Sequence, residues 1–297
     1  MTKVALLGQG LMGSGIAQNI LKAGFPLTIY NRTKAKALPQ LEKGAEWAQT
    51  PAAAAAAADV VISVVGDDAA SRAVWLGEGG AVAGLRSGAL AVECSTVSLD
   101  WVRELHALVT GRGCRFIDAP LTGSKLAAQA GTLTLLVGAE PSTLEQAQPV
   151  LSAFSNKIIH FGPPGAGTTY KLVNNMAAGA QLAVLGEALA LAARSGLNME
   201  TVAEALTSGA VASPIVKGKV AAMIARDHTD THFALRWMHK DMTYALRAAD
   251  QAGVAMPTIA VARELFRLVL QAGLGQEDCG AVAEVVRGAQ SAPSGRN

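Results

Sequence analysis

The stretch that most constrains this chain is "KVALLGQGLMGSGIAQNIL", Lys3 to Leu21. An apolar run, Lys3–Leu7, leads into Gly8, Gly10 and Gly13 at G-x-G-x-x-G spacing, and a helical pattern follows from Ser14 to Lys22. Glycines at this spacing say little alone. With a strand before them and a helix behind, they form the turn that binds a dinucleotide. Gly8 allows the tight turn, Gly10 lets backbone approach a pyrophosphate, and Gly13 lets helix and strand pack closely. Free N–H groups at the positive end of the helix then attract the phosphates. Gln9, Leu11 and Met12, between the glycines, belong to the same expected nucleotide site.

The second strand bears on which dinucleotide fits. NAD-binding versions usually end it in an acidic residue that holds the ribose 2′-OH. Here the strand Leu27–Tyr30 runs into Asn31-Arg32-Thr33, with Asn31 standing 18 positions after Gly13 (31 − 13). No carboxylate repels a 2′-phosphate, Arg32 can pair with one bidentately, and Thr33 can donate a hydrogen bond. The expected cofactor is NADP(H), with NAD(H) left open.

Beyond this loop, short apolar runs alternate with helical stretches. Lys3–Leu7, Leu27–Tyr30, Val60–Val65, Ala89–Glu93, Arg115–Ala119 and Thr132–Gly138 are expected strands. Ser14–Lys22, Lys34–Glu42, Pro51–Ala58, Ala69–Trp75, Leu99–Val109 and Ser142–Ala153 are expected helices. Such alternation implies a mostly parallel sheet covered on both faces. After "HFGPPGAG", His160–Gly167, no convincing strand follows. Helical runs take over at Thr168–Arg194, Met199–Ser208, Pro214–Ala225, Phe233–Ala252, Pro257–Ala272 and Gln276–Arg287. The fold class is therefore α/β, a Rossmann-like domain over residues 1–164 followed by an all-α domain over 165–297. The tail "AQSAPSGRN" is expected to fray.

Composition removes several alternatives. Hydrophobic residues make up 51% and charged residues 16%, which excludes a disordered chain. A net charge of +2 supplies no field for nucleic acid. Cys94, Cys114 and Cys279 are too scattered for a disulfide framework, and no metal-ligand spacing links them to the five histidines. Free thiols and the absence of a signal-like N-terminus point to the cytoplasm. Pro51–Val65 and Met176–Ala193 mimic membrane spans. Asp59 interrupts the first, the second carries Gln181 and Glu187, and no membrane partner is expected. The second run is apolar all round, as for a helix buried on every side; the helical half alone is not expected to cover it, which leaves room for a partner subunit.

One lysine stands at the head of that greasy helix, in "GAGTTYKLVNN", Gly165–Asn175. Lys171 and Asn175 are four apart and share one helical face, with Asn174 close by. Among Leu172, Val173 and Met176 the ammonium is expected to be partly desolvated, which lowers a lysine pKa from its free value of about 10.4 towards a useful range for proton transfer.

Four stretches together resemble the β-hydroxyacid dehydrogenase family, the relatives of 3-hydroxyisobutyrate and 6-phosphogluconate dehydrogenases. They are "LLGQGLMGSGIAQNILKAG", "CSTVS" (Cys94–Ser98), "DAPLTGSKLAAQAGTLTLLVG" (Asp118–Gly138) and "GAGTTYKLVNNM"; "FALRWMHKDM" (Phe233–Met242) adds a fifth. The resemblance covers nearly the whole chain and implies an active site in a cleft between the two domains. It implies that Lys171 is the general acid/base and that Asn175 orients the substrate. It implies that Thr122, Gly123 and Ser124 bind the substrate carboxylate through hydroxyl and backbone N–H groups. Thr122 stands where relatives usually carry serine; it keeps the hydroxyl and adds a methyl group, which bears on substrate size. Thr96 is implied near the nicotinamide ribose, Lys240, followed by Asp241, near the cofactor, and Val65 completes the expected cofactor contacts. Leu121, Leu126, Phe233 and Trp237 are expected to set pocket size.

Ser124-Lys125 looks more like the glyoxylate and succinic semialdehyde reductase branch, which favours NADPH. The expected activity is thus reduction of a small oxo acid with Lys171 as proton donor. The alternatives are a dehydrogenase of 3-hydroxyisobutyrate or another 3-hydroxy acid, then an imine reductase, then a non-catalytic NADP-binding scaffold. The resemblance also implies a homodimer or homotetramer.

Overall fold

The computed structural model describes residues 1–287, and the tail 289–297 expected to fray lies outside them. The chain divides into two compact units, Met1–Leu172 and Val173 onward. The division falls inside one long helix that begins just after the Pro163-Pro164-Gly165 turn.

The first unit is built on a nine-stranded sheet. Its elements are β1 (Val4–Leu7), α1 (Leu11–Lys22), β2 (Leu27–Tyr30), α2 (Leu38–Leu41), β3 (Glu46–Trp47), α3 (Pro51–Ala56), β4 (Val60–Ser63), α4 (Asp68–Leu76), α5 (Ala81–Gly84), β5 (Leu90–Glu93), α6 (Leu99–Thr110), β6 (Arg115–Asp118), β7 (Leu121–Thr122), α7 (Lys125–Ala130), β8 (Leu133–Gly138), α8 (Pro141–Leu151) and β9 (Ser155–Gly162). The order is β3-β2-β1-β4-β5-β6-β8-β7, with β9 paired to β8. The pairings from β3 to β6 are parallel, β8 runs antiparallel to β6 and β7, and β9 is parallel to β8. Alternate strand residues feed two cores. Val4, Leu6, Ile62, Val92 and Ile117 pack on one face with α1 residues Ile16 and Ile20; Ala5, Leu7, Val61, Ala91 and Phe116 pack on the other with Trp75 and Trp101. Burial on both faces explains why these strands are almost continuously apolar.

Several local expectations shift. The expected helix Lys34–Glu42 is a 3₁₀ turn, Lys34–Ala37, followed by α2. Pro39 has no N–H to donate and breaks the ladder there. The strand expected to reach Val65 ends at Ser63, because the Val65 N–H donates to Ser95 Oγ (2.8 Å). Strand β9 was not anticipated. Its burial is irregular and its pattern, SNKIIHFG, alternates poorly, but Leu133–Gly138 of β8 supply its partners.

The long helix α9 spans Ala166–Arg194. The second unit adds α10 (Met199–Ser208), α11 (Pro214–Ala225), α12 (Leu235–Ala252), α13 (Pro257–Gln271) and α14 (Ala283–Arg287). Leu182, Leu185, Leu189, Met223, Met238, Met242 and Phe266 form their core. The expected helix Gln276–Arg287 is interrupted by a 3₁₀ turn, Cys279–Val282, which Asp278 caps by accepting from the Gly280 N–H (3.0 Å). Within one chain α9 is covered on one side and bare on the other, as expected where the helical half alone does not cover it. Among the described residues it is the one helix long and apolar enough to cross a membrane by length and composition, yet only 39% of its most apolar window is buried. Leu182, Leu185 and Leu189 face the core, while Val184 (60% exposed) and Leu191 (70%) face outward.

Candidate active site

The glycine loop joins β1 to α1. Gly8 has φ +112, and a Cβ there would lie 2.2 Å from the Val64 carbonyl oxygen. A Cβ on Gly13 would lie 2.2 Å from the Gly8 carbonyl oxygen, so neither position accepts a side chain. Gly10 is different: a Cβ there would have nothing within 4 Å. Backbone therefore borders open space where a pyrophosphate would sit. Gly10 also caps α1 without any side-chain hydrogen bond, which leaves the first-turn N–H groups to a ligand or water. The residues present fit a dinucleotide.

Asn31 holds the second edge of this site. Its Oδ1 accepts from the Gln9 N–H (2.9 Å) and its Nδ2 donates to the Thr33 carbonyl (2.8 Å). Asn31 thus ties the glycine loop to the end of β2. Arg32 and Thr33 stand exposed beside it. Tyr30 stacks on Trp47, and Lys34 lies over the same indole at 5.5 Å.

The loops after β4 and β5 are fastened together. Ser95 Oγ accepts from Val65, and Asp68 accepts from the Ser98 N–H (2.7 Å) and hydroxyl (2.5 Å). Beneath them Glu93 is fully buried and accepts from Ser71 Oγ (2.5 Å), Trp75 Nε1 (2.8 Å) and the Ser95 N–H (2.8 Å). Burial pushes its carboxyl upward against the pull of these hydrogen bonds. Thr96, expected near the nicotinamide ribose, and Val65, an expected cofactor contact, ride on this braced pair of loops. The bracing by Glu93 and Asp68 was missed from sequence; carboxylates at a strand end and a helix start were the available signal.

Thr122 lies in β7 and pairs with Thr134. Gly123 has φ +136, and a Cβ there would sit 2.9 Å from Leu133. Ser124 caps α7, its Oγ accepting from the Ala127 N–H (3.2 Å), so its own O–H proton can still be donated. Leu121 is buried in the core and Leu126 is 73% exposed, so of these two only Leu126 can wall an open pocket.

Lys171 lies in the second turn of α9 and is 8% exposed. At the start of that helix, Asp118 accepts from the Gly165 and Thr168 N–H groups, both at 2.6 Å. Burial raises the Asp118 carboxyl to about 6, against the lowering effect of these bonds. The glycine loop, Asn31, Val65, Thr96 and Thr122–Ser124 thus follow the C-terminal ends of strands β1, β2, β4, β5 and β6, and Asp118 binds the start of the Lys171 helix to the end of β6. That is where open α/β sheets bind ligands.

The remaining expected residues lie in the second unit. Asn175 is buried, donates from Nδ2 to Asp241 Oδ2 (2.6 Å) and accepts from Asn174 Nδ2 (3.0 Å). Lys240 Nζ is 3.1 Å from Asp241 Oδ1 and lies over the rings of Trp237 (5.5 Å) and Tyr244 (5.1 Å). With Asp241 1% exposed, this is a buried charge pair. Phe233 packs against the helical core, and Trp237 is half-buried. All three cysteines are buried and unpaired, and burial pushes Cys279 up to about 12. No group of three or more metal-ligating side chains was found among the described residues.

A Rossmann-like unit with an open glycine cradle, followed by a helical unit, defines a nicotinamide-dinucleotide-dependent oxidoreductase. Residues 3–162 match the model for the NAD-binding domain of 6-phosphogluconate dehydrogenase, and residues 165–286 match that for the NAD-binding region of NADP-dependent 3-hydroxyisobutyrate dehydrogenase. The chain belongs to the β-hydroxyacid dehydrogenase family, NAD(P)-dependent enzymes acting on CH–OH groups. It is 33% identical over 285 residues to glyoxylate/succinic semialdehyde reductase 1 of Arabidopsis thaliana, covering 96% of this chain and 98% of that one. It is 32% identical to 2-(hydroxymethyl)glutarate dehydrogenase of Eubacterium barkeri, over 95% of this chain and 94% of the relative. Among solved structures it is similar to 3-hydroxyisobutyrate dehydrogenase of Mycobacterium tuberculosis with L-serine, at TM-score 0.88 and 29% identity over 97% and 99% of the two chains.

Proposed function

We propose that this protein is an NADPH-dependent reductase of small oxo acids of the glyoxylate or succinic semialdehyde type. The observation that carries the reading is the buried lysine, Lys171, on a helix whose start is fixed at the strand end that also leads into Thr122–Ser124. The similarity to the Arabidopsis reductase supports the substrate class. NADPH, when bound, supplies the hydride. Lys171 as ammonium donates a proton to the substrate oxygen as charge develops on it, and in the reverse direction neutral Lys171 accepts that proton. Thr122, the Gly123 N–H and Ser124 hold the carboxylate and fix the carbonyl carbon in place. Asn175, held by Asp241, and Lys240 orient substrate and cofactor. The test follows reduced-nicotinamide absorbance: its loss with glyoxylate or succinic semialdehyde and NADPH or NADH, and its gain with a panel of 3-hydroxy acids and NADP+ or NAD+. Turnover confined to 3-hydroxy acids would favour a 3-hydroxyisobutyrate-type dehydrogenase, and binding without turnover a scaffold.

The preference for NADPH is assigned to Arg32, with Thr33, exposed next to the fixed Asn31. Replacing Arg32 with alanine should raise KM for NADPH about 10- to 100-fold, the worth of a charge-assisted hydrogen bond pair, and leave KM for NADH nearly unchanged. Equal effects on both cofactors would remove this assignment.

The outward face of α9 suits a second copy of this chain. Val184, Leu191, Val261 and Leu268 are 60%, 70%, 64% and 43% exposed. Between α9 and α13 runs a groove of about 380 Å³ lined by Ala180, Val184, Pro257, Val261 and Leu265. Apolar surface of this kind favours association. Val184→Glu should convert an oligomer into monomer in light scattering; a wild-type chain already monomeric at assay concentration would contradict it. Three buried, unpaired thiols suit a reducing compartment such as the cytoplasm.

A further inference from the structure

Asp118 is the last residue of β6 and is fully buried. Its two carboxylate oxygens are both committed to the first turn of α9: Oδ1 accepts from Gly165 and Oδ2 from Thr168, each at 2.6 Å. These are the residue before the helix and its third member. A glycine at the cap position has no side chain with which to satisfy those donors, so the cap comes from 47 and 50 residues away in sequence. Two hydrogen bonds to N–H groups spaced almost one turn apart fix both the height and the rotation of the helix.

The backbone beneath makes the fit exacting. A Cβ on Gly138 of β8 would lie 2.3 Å from Asp118 Oδ1, and a Cβ on Gly167 of α9 would lie 2.2 Å from the Leu136 carbonyl oxygen. Helix and strand therefore touch backbone to backbone where Asp118 bonds. Lys171 follows Thr168 by three positions and so lies over the same face of the helix. In the other direction, Asp118 leads directly through Ala119 and Pro120 into Leu121–Thr122, which is pinned to β8 by the Leu136 N–H donating to the Pro120 carbonyl (3.0 Å). One side chain thus joins the element bearing the lysine to the strand that continues into the Thr122–Ser124 loop.

We infer that Asp118 is a positioning residue, a remote helix cap that holds Lys171 at a fixed spacing from the Thr122–Ser124 loop. It touches neither substrate nor cofactor in this role. The inference rests on the proposed oxo-acid reduction with Lys171 as proton donor, and it adds a residue that acts through that lysine.

The experiment uses the full chain with NADPH and its deuterated form at the transferring position. Asp118→Asn keeps the side-chain volume but turns an amide NH₂ against a backbone N–H. We expect kcat for the oxo acid to fall about 10- to 100-fold, the scale of a misplaced catalytic group. KM and NADPH affinity should be little changed, and the deuterium isotope effect on kcat should rise as chemistry becomes slower. Gly138→Ala leaves Asp118 itself unaltered but crowds its Oδ1 together with the Ala166 N and Pro163 carbonyl oxygen at the helix start, each 2.8 Å from the added Cβ, so it disturbs the same junction and should give the same signature. Near-normal kcat in either folded variant would overturn the inference, as would activity lost only in proportion to folded protein with an unchanged isotope effect. Wild-type amide exchange provides a reading that needs no variant: Gly165 and Thr168 must exchange slowly, and fast exchange there also overturns it. Lys171→Ala separates the two levels. If that variant keeps its turnover, the functional reading fails; if it is inactive while Asp118→Asn is fully active, only the positioning role fails.

Discussion

Replacing Lys171 with alanine is expected to lower kcat for oxo-acid reduction by about 10²- to 10⁴-fold, the usual contribution of a general acid. Lys171 is 8% exposed, so water has little access to substitute for its proton. Without the ammonium, charge developing on the substrate oxygen would have no positioned cation to neutralise it. NADPH affinity should persist, because the nucleotide site proposed at Gly8, Gly10, Gly13 and Asn31 is built without this side chain. KM for the oxo acid should move far less than kcat, since the proposed carboxylate contacts are those of Thr122–Ser124 and not of Lys171. Lys171→Arg should not rescue the rate, because a guanidinium keeps its proton at any working pH and is broader than an ammonium. Steady-state kinetics with tryptophan-quenching titrations of NADPH would measure each quantity. Turnover close to wild type in Lys171→Ala would remove the lysine from the chemistry.

The second large effect is structural. Asp278 is 4% exposed and accepts from Lys219 Nζ at 2.7 Å on both oxygens, as well as from the N–H groups of Gly280 (3.0 Å), His232 (3.1 Å) and Phe233 (3.3 Å). It joins α11, the segment leading into α12 and the 3₁₀ turn at Cys279–Val282. Asp278→Ala leaves a mostly buried ammonium and several backbone donors without their acceptor. Breaking a buried pair in this way costs about 3 kcal/mol or more, a large share of the roughly 5–15 kcal/mol that holds a domain folded. Burial acts to raise the Asp278 carboxyl, but Lys219 and the N–H groups outweigh it and hold it below its ordinary 3.8. A depressed carboxyl contributes its full stability above that ordinary value and loses it as the pH falls through the lower folded value. Urea melts should therefore show a wide gap between wild type and Asp278→Ala at neutral pH that narrows in acid. A gap independent of pH would mean that the carboxylate's charge is not what matters.

Much of this molecule is legible in its sequence. Strands β1, β4, β5 and β6 are short and buried almost throughout, β2 alternates buried and half-buried residues, and the glycines after β1 permit few other turns. The helices α10 and α11 fall at their expected limits because Asn198 and Ser213 cap them, each accepting from an N–H three residues on. The failures have physical causes too. β9 alternates poorly because only Ser155 of its eight residues is buried, so neither face of the strand requires an apolar stripe. How much of α9 its own chain covers was not legible, because an apolar surface looks the same in sequence whether or not an element of that chain lies beside it.

Local chain chemistry by itself determined the strand–glycine–helix turn, the missing acid after β2 and the lone lysine heading an apolar helix. Each depends on neighbours within a few residues, where dihedral freedom and hydrophobic period act directly. Only the tertiary structure decided that Asp118 caps the Lys171 helix, that Glu93 and Asp68 brace the loops of Val65 and Thr96, and that Asp241 holds Asn175. Apart from the Glu93 bond to Ser95, two residues on, those hydrogen bonds join residues 18 to 66 positions apart. Their partners are chosen by strand order and close backbone approach, and no spacing along the chain encodes that choice.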